Sequence, residues 1–135
     1  TVFTGSYPPV FFGENGIMPV TLFSNVINLV IYTSSDGGTT WIPASAPVAN
    51  AGRGELVDFV SPTDGFAWAT GRFAVTSDGA QSWNTITPSE PFGDNFMAMD
   101  FVDTSTGWVL TMNTESHASL YSTSDGGTNW ITLIP

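Results

Sequence analysis

Residues 34–41 read Ser-Ser-Asp-Gly-Gly-Thr-Thr-Trp, residues 76–83 read Thr-Ser-Asp-Gly-Ala-Gln-Ser-Trp, and residues 123–130 read Thr-Ser-Asp-Gly-Gly-Thr-Asn-Trp. We call these three stretches the box segments. Their aspartates, Asp36, Asp78 and Asp125, follow one another at intervals of 42 and 47 residues. Repeats of about 40–50 residues are typical of β-propeller blades. The box segments therefore predict that the chain consists of three similar structural units.

A second repeated pattern lies between the box segments. Residues 58–66 read Asp-Phe-Val-Ser-Pro-Thr-Asp-Gly-Phe, and residues 100–108 read Asp-Phe-Val-Asp-Thr-Ser-Thr-Gly-Trp. Gly65 and Gly107 are again 42 residues apart, and residues 12–17 form a weaker copy. Because two independent patterns share one spacing, a chance match is a poor explanation.

Each unit is predicted to hold four short antiparallel strands, because proline and glycine interrupt the chain every 8–12 residues and no helical period is present. The first strand ends at Phe59 or Phe101, and the second runs over residues 66–70 or 108–112. The third runs into the box segment, and the fourth follows its tryptophan, as at 131–134. The sequence thus predicts an all-β protein of about three four-stranded blades joined by box hairpins. The whole chain, 1–135, is expected to be one partial propeller with repeats at about 8–48, 54–90 and 94–135.

The box segments have a structural logic of their own. An aspartate accepts hydrogen bonds from the amides that follow it, glycine adopts positive φ at low cost, and a buried tryptophan anchors the hairpin. In the second copy Ala80 replaces the second glycine. The residues predicted to be structural are Asp36, Gly38, Trp41, Asp78, Trp83, Asp125, Gly127 and Trp130.

The box segments resemble the Asp-box, or BNR, repeat of sialidases and sortilin-type receptors. The added Asp-Phe-Val and Gly-Trp element is most similar to the photosystem II assembly-factor type of repeat, which is widespread in bacterial extracytoplasmic proteins. The resemblance covers residues 10–135. It implies a β-propeller, a role in protein–protein scaffolding and a secreted or extracytoplasmic location.

Composition narrows the classes of partner. The chain has 12 acidic residues and only two basic ones, Arg53 and Arg72, for a formal net charge of −10. Such a surface repels nucleic-acid phosphates and anionic membranes. No apolar run approaches the roughly 20 residues that span a bilayer, so no membrane insertion is expected. With no cysteine, the chain has neither disulfides nor thiolate metal ligands.

Residue patterns that would indicate an enzyme active site are weak in this sequence. A sialidase, by family resemblance, holds its substrate with three arginines, and this chain has two. A glycosidase needs two carboxyl groups at a defined separation, for which Asp58 and Asp100 are the candidates. Their equivalent positions in successive units instead suggest a repeated structural hydrogen bond. His117 is the single histidine, so we expect no enzyme activity, no metal and no cofactor.

Three blades are too few to close a ring, because propellers usually close with about 4–8 blades. The chain is therefore expected to join a homo-oligomer, the rest of a longer propeller or a larger assembly. Residues 1–7 are predicted to form an edge strand that completes a neighbouring blade.

The leading hypothesis is a non-catalytic binding or scaffolding module whose partner is a protein or a glycan. Loops on rigid β scaffolds often carry binding function, and residues 113–117 form an insertion in the third repeat. The candidate binding residues are Asn113, Glu115 and His117 in this loop, together with Arg53 and Arg72. Residues 13–18 and 49–55 are further candidates. The alternatives are a self-assembling subunit of an extracellular or cell-surface structure and a glycoside hydrolase-like propeller fragment.

Overall fold

The computed structural model describes residues 2–51 and 56–135, and within them every regular element is a β-strand except one 3₁₀ turn at Gly93–Asn95. The strand segments are β1 (Val2–Ser6), β2 (Val10–Phe12), β3 (Asn15–Phe23), β4 (Ile27–Ser34), β5 (Ile42–Pro43), β6 (Val48–Ala49), β7 (Val57–Phe59), β8 (Gly65–Ala69), β9 (Arg72–Thr76), β10 (Asn84–Ile86), β11 (Phe96–Phe101), β12 (Gly107–Met112), β13 (Ala118–Thr123) and β14 (Ile131–Ile134).

The strands form three antiparallel sheets, which are three blades of a β-propeller. Blade one spans residues 2–49, blade two residues 57–86 and blade three residues 96–134. Blade two has the order β10-β9-β8-β7 and blade three the order β11-β12-β13-β14, so each chain segment pairs with the next one. The predicted second strand of blade two at 66–70 is observed at Gly65–Ala69, and the predicted fourth strand of blade three is observed at Ile131–Ile134.

Blade one is also four-stranded, although its first and fourth strands are interrupted. β1 and β2 pair with successive parts of β3, while β6 and β5 pair with successive parts of β4. Pro8 and Pro9 lie between β1 and β2, where they supply no backbone donors.

The N-terminal segment does not complete a neighbouring blade, so that prediction is wrong. Val2 pairs with Phe23 and Ser6 pairs with Val20, both in β3 of blade one. The Tyr7 N–H then donates to the Pro19 carbonyl at 3.1 Å, which keeps the chain on the same edge. The physical reason is the length of β3, whose nine residues provide pairing positions for both segments.

The blades pack face to face through two different cores. Between blades one and two, the buried residues are mainly aliphatic side chains and alanines, including Leu29, Ile31 and Ala67. Between blades two and three the core is aromatic. Phe66 stacks on Phe101 with ring centroids 3.7 Å apart, and Trp68 stacks on Phe96 at 4.3 Å. Blade two is therefore covered on both faces, and every residue of β8 is buried.

No helix in residues 2–51 and 56–135 has both the length and the apolar character needed to cross a membrane.

Candidate binding surface at the loop end of the blades

The strand order gives the blades two chemically different ends. We call the end that carries the box segments and the turns between the first and second strands the box end. We call the opposite end, with the links between the second and third strands and the connections from blade to blade, the loop end. The insertion at residues 113–117 and the Thr70–Gly71 turn both belong to the loop end.

At the box end, each box aspartate is enclosed by local hydrogen bonds. Asp36 Oδ1 accepts from Ser34 Oγ at 2.8 Å and from Thr40 N at 2.9 Å, and its Oδ2 accepts from Thr40 Oγ1 at 2.6 Å. Ser82 provides the corresponding two donors to Asp78, and Asn129 provides them to Asp125. The predicted hydrogen bonds from amides that follow the aspartate are thus present in all three box segments.

These bonds favour the ionised carboxylates. Hydrogen bonds from the Thr40 side chain and backbone lower the pKa of Asp36 from 3.8 to about 2. Asn129 lowers the pKa of Asp125 to about 2 in the same way, and Ser82 lowers the pKa of Asp78. The box carboxylates are therefore engaged within their own turns. In the described part of the chain, no group of three or more His, Asp or Glu side chains is arranged to hold a metal ion.

A further set of hydrogen bonds fastens each box segment to its own blade. The N–H groups of Gly37, Gly79 and Gly126 donate to carbonyls in the preceding first-to-second-strand turn at 2.9, 2.9 and 2.8 Å. A Cβ on Gly126 would lie 2.9 Å from the Thr104 carbonyl oxygen. The box end is thus a rigid turn structure whose polar groups are largely paired internally.

The tryptophans of the box segments divide into two arrangements. The indole N–H of Trp41 donates to Gly38 O at 3.0 Å, and that of Trp130 donates to Gly127 O at 2.8 Å. In the second box the carbonyl of Ala80 accepts instead from the N–H of Ala46, and Trp83 donates to Ala46 O at 2.8 Å. The second tryptophan therefore joins blade two to blade one rather than closing its own turn.

At the loop end, residues 113–117 form a well-defined turn. Asn113 Oδ1 accepts from the N–H groups of Glu115 and His117, both at 2.9 Å, and Asn113 N donates to His117 O at 3.0 Å. His117 Nδ1 lies 3.8 Å from Glu115 Oε2, and both side chains are about three-quarters exposed. The side-chain amide oxygen of Asn113 is thus occupied by hydrogen bonds within the loop, while the side chains of Glu115 and His117 face solvent.

Of the two arginines predicted to bind a partner, the structure describes only Arg72. Arg72 is exposed and begins β9 directly after the Thr70–Gly71 turn, which places it at the loop end. Arg53 lies outside the described residues, as does most of the candidate range 49–55.

A cleft opens at the loop end between blades two and three, and the sequence indicated only its edge at Asn50 and Ala51, within the candidate range 49–55. Its volume is about 550 Å³. The stacked pair Trp68 and Phe96 forms its buried apolar part, while Asp94 is exposed and Met97 is 47% exposed. The lining residues are Asn50, Ala51, Leu56, Trp68, Thr70, Gly71, Gly93, Asp94, Phe96 and Met97.

Asp58 has a structural position between blades two and three. Its Oδ2 accepts from the backbone N–H of Phe101 at 2.5 Å. Burial, and to a smaller extent the nearby charge of Asp100, raise the pKa of Asp58. A raised pKa is one property of a general acid, but here the carboxylate holds two inner strands together. The suggested structural hydrogen bond is thus found at Asp58, whereas Asp100 is exposed.

No family model matches this chain. No curated protein matches it either. Among solved structures, it is similar to one described as YCF48 bound to D1 peptide, with a TM-score of 0.56 and 21% sequence identity. The match covers 87% of this chain and 36% of that one, so this chain spans about a third of its length. At this identity the likeness concerns the fold alone, and it agrees with the three sheets in identifying a β-propeller.

Proposed function

We propose that this chain is a protein-binding, non-catalytic part of an Asp-box β-propeller, and that a peptide segment of its partner binds in the cleft between blades two and three. The observation that carries this proposal is the contrast between the two ends. Box-end polar groups are largely consumed by hydrogen bonds within the turns. The loop end offers a cleft of about 550 Å³, a volume in the usual range for ligand sites. The cavity at the box end, which residues 15–17 of the candidate range 13–18 help to line, has only about 230 Å³.

The similar solved structure supports a peptide as the class of ligand. That structure is described as YCF48 bound to D1 peptide, so a propeller of this fold is able to hold a peptide. An extracytoplasmic location is part of the same proposal, motivated by the resemblance of the repeats.

The cleft suggests which peptide chemistry is favoured. An apolar side chain would contact the half-buried Leu56 and the exposed Met97 above the aromatic pair. A lysine or arginine next to it would lie near Asp94, and the net charge of −10 would attract a basic segment. We therefore expect a peptide that combines a hydrophobic residue with a positive charge.

The geometry gives less support to the glycan and glycosidase alternatives. Sugar recognition by stacking in the cleft requires an exposed aromatic face there, whereas Trp68 and Phe96 are buried against each other. The candidate acid Asp58 accepts a backbone hydrogen bond between two blades. A protein partner is accordingly preferred.

Selection from a random displayed peptide library against the immobilised chain tests the proposal. We expect enriched basic-apolar peptides whose affinity falls at least tenfold, or about 1.4 kcal/mol, for Met97→Asp. The apolar side chain of the peptide loses its contact with Met97 and would instead desolvate a carboxylate. Asp94→Asn is expected to weaken the basic peptides selectively. Val102→Asp is the matched control, since Val102 is also exposed but follows β11 at the box end.

Two results would contradict the cleft as the binding site. One is a selection that enriches no peptide above background. The other is a set of peptides that bind Met97→Asp as tightly as they bind the unchanged chain, or that lose binding equally to Val102→Asp.

A further inference from the structure

Blade three has an apolar outer face that no other described blade covers. Strand register places Asp100 beside Trp108, Ala98 beside Leu110, and Leu110 beside Leu120. Leu110 and Met112 are 37% and 38% exposed. We call this surface the trailing face of blade three, defined by Ala98, Asp100, Trp108, Leu110, Met112 and Leu120.

Blade one has an open face on its opposite side, centred on Phe11. Its ring packs edge-on against Trp41 at 5.9 Å. Met18 and Tyr32 are register partners on the same sheet, and both are half-buried. We call Phe11, Met18, Tyr32 and Trp41 the leading face of blade one.

Phe11 occupies the same position in blade one as Phe59 and Phe101 occupy in the other blades. Each ring packs edge-on against the box tryptophan of its own blade, at 5.9, 6.4 and 6.2 Å. Each also covers a glycine, since a Cβ on Gly16, Gly65 or Gly107 would lie within 2.8 Å of that ring. The environments nevertheless differ, because Phe59 and Phe101 are 7% and 4% exposed while Phe11 is 43% exposed.

The contacts that cover Phe101 show what Phe11 lacks. Phe66 of blade two stacks on the Phe101 ring at 3.7 Å with the planes 5° apart. Asp58 of blade two accepts the Phe101 N–H. Blade three carries an equivalent pair, because Trp108 follows Gly107 as Phe66 follows Gly65, and Asp100 precedes Phe101 as Asp58 precedes Phe59.

We propose that the trailing face of blade three binds the leading face of blade one in a second copy of this chain. In this joint Trp108 stacks on the second copy's Phe11, and Asp100 accepts its backbone N–H. Both halves of the contact are therefore present on one chain, and each repeats chemistry that already joins blades two and three.

The number of blades favours two copies. Two chains of three blades make six, which is within the usual size of a closed propeller. Each copy then contributes one trailing and one leading face, and a two-fold axis relates the two identical joints. Closure also covers the open face of each terminal blade, and open edges and apolar faces of this kind readily bind other chains.

The charges near Asp100 also favour blade one of a second copy as the partner of the trailing face. Where blade three meets blade two, the Asp100 charge acts unfavourably on ionised Asp58. In the proposed joint the residue before Phe11 is Val10, so Asp100 meets no carboxylate at the equivalent position. Asp100 is thus able to accept the N–H without a like charge beside it.

Light scattering after size exclusion, repeated over a range of concentrations, tests this joint. The unchanged chain is expected to have twice the 14.3 kDa monomer mass. Leu110→Asp places a charge in the centre of the trailing face and is expected to raise the dissociation constant at least tenfold. Ile42→Asp is the matched control and leaves the dimer intact, because Ile42 is 65% exposed on β5, the outer strand of blade one, and belongs to neither face.

Mixing two variants tests the head-to-tail direction. Leu110→Asp keeps its leading face and Phe11→Asp keeps its trailing face, so the mixture is expected to form a dimer through one intact joint although neither variant does so alone. A single cooperative transition in urea unfolding shows that Phe11→Asp is folded. If it is not, a mixture of Leu110→Asp with the unchanged chain provides the same single joint.

The proposal is overturned if the unchanged chain is monomeric at every concentration or forms a polydisperse series. It is also overturned if the dimer withstands Leu110→Asp, if Ile42→Asp dissociates it, or if the mixture does not associate.

Discussion

A single buried hydroxyl connects each box aspartate to the turn that follows it. Thr76 Oγ1 donates to Asp78 Oδ1 at 2.9 Å and accepts from Ala80 N at 2.9 Å. Ser34 and Thr123 make the same pair of bonds in the other two boxes. Serine and threonine are interchangeable here because the hydroxyl, not the methyl group, satisfies the turn.

Replacing this hydroxyl at Thr76 is expected to destabilise blade two. Thr76→Val keeps the shape of the side chain but leaves the buried Ala80 N–H without its acceptor, which costs about 1–3 kcal/mol of unfolding free energy. Thr76→Ser, the residue found at position 34, is the control and is expected to cost clearly less. Urea unfolding measures both, and equal stabilities of the two variants would contradict this role.

At the scale of the strand and turn, the three boxes use one geometry in different packing contexts. Blade two lies between the other blades, so Ala67, Ala69 and Ala74 cover one interface while Phe66 and Phe73 cover the other. The Ala80 carbonyl is taken by blade one, and Trp83 therefore crosses to Ala46. The same turn thus closes on itself in blades one and three and bridges two blades in the middle.

The box carboxylates are expected to make the fold sensitive to acid. The folded-state pKa values of Asp36 and Asp125, about 2, lie below the ordinary value of 3.8. The unfolded chain therefore binds more protons between these values, so stability is full above about pH 4 and decreases as pH falls towards about 2. The raised pKa of Asp58 acts with the opposite sign.

Urea midpoints measured across this pH range check the acid sensitivity. The double variant Asp36→Asn and Asp125→Asn is expected to have a smaller dependence on pH than the unchanged chain. A midpoint that increases as pH falls from about 4 to about 2 would mean that the box carboxylates do not control acid stability.

At the scale of the whole molecule, the net negative charge of each chain opposes the dimer that the apolar trailing and leading faces favour. Each chain has a formal net charge of −10 with only two arginines, so two copies repel each other over distances that salt screens. The proposed joint is mainly apolar and aromatic, with one charge-assisted hydrogen bond. Long-range repulsion between the two negatively charged chains therefore lowers the affinity of the joint, and no ion pair across the joint offsets it.

The dimer is therefore expected to tighten as salt increases. Raising sodium chloride from about 0.02 M to about 0.5 M shortens the Debye length from above 20 Å to below 5 Å and should lower the dissociation constant severalfold. Sedimentation equilibrium at each salt concentration measures it, with Leu110→Asp as the control for non-specific salt effects. Dissociation at high salt would indicate that opposite charges hold the copies together.

Much of the fold was predictable because its signals are local. The aspartate, glycine and tryptophan of a box segment lie within one turn, and Gly65 and Gly107 mark the start of second strands that the structure confirms. The candidate site was predictable only in part. The loop with Glu115 and His117 was visible as an insertion but does not line the cleft, and of the predicted ranges only 49–55 contributes, through Asn50 and Ala51. The other lining residues meet only after the blades pack.

By itself, the sequence determined an all-β chain of three repeated blades, since backbone turn chemistry and strand alternation depend on residues close together in the chain. Only the tertiary structure decided that β1 pairs within blade one, that Asp58 bonds to Phe101, that Trp83 bridges to Ala46 and that Phe11 remains uncovered. The physical reason is that these contacts depend on which sheet faces meet and how their strands align. The paired residues are 14 to 43 positions apart in the chain and are brought together only by that packing.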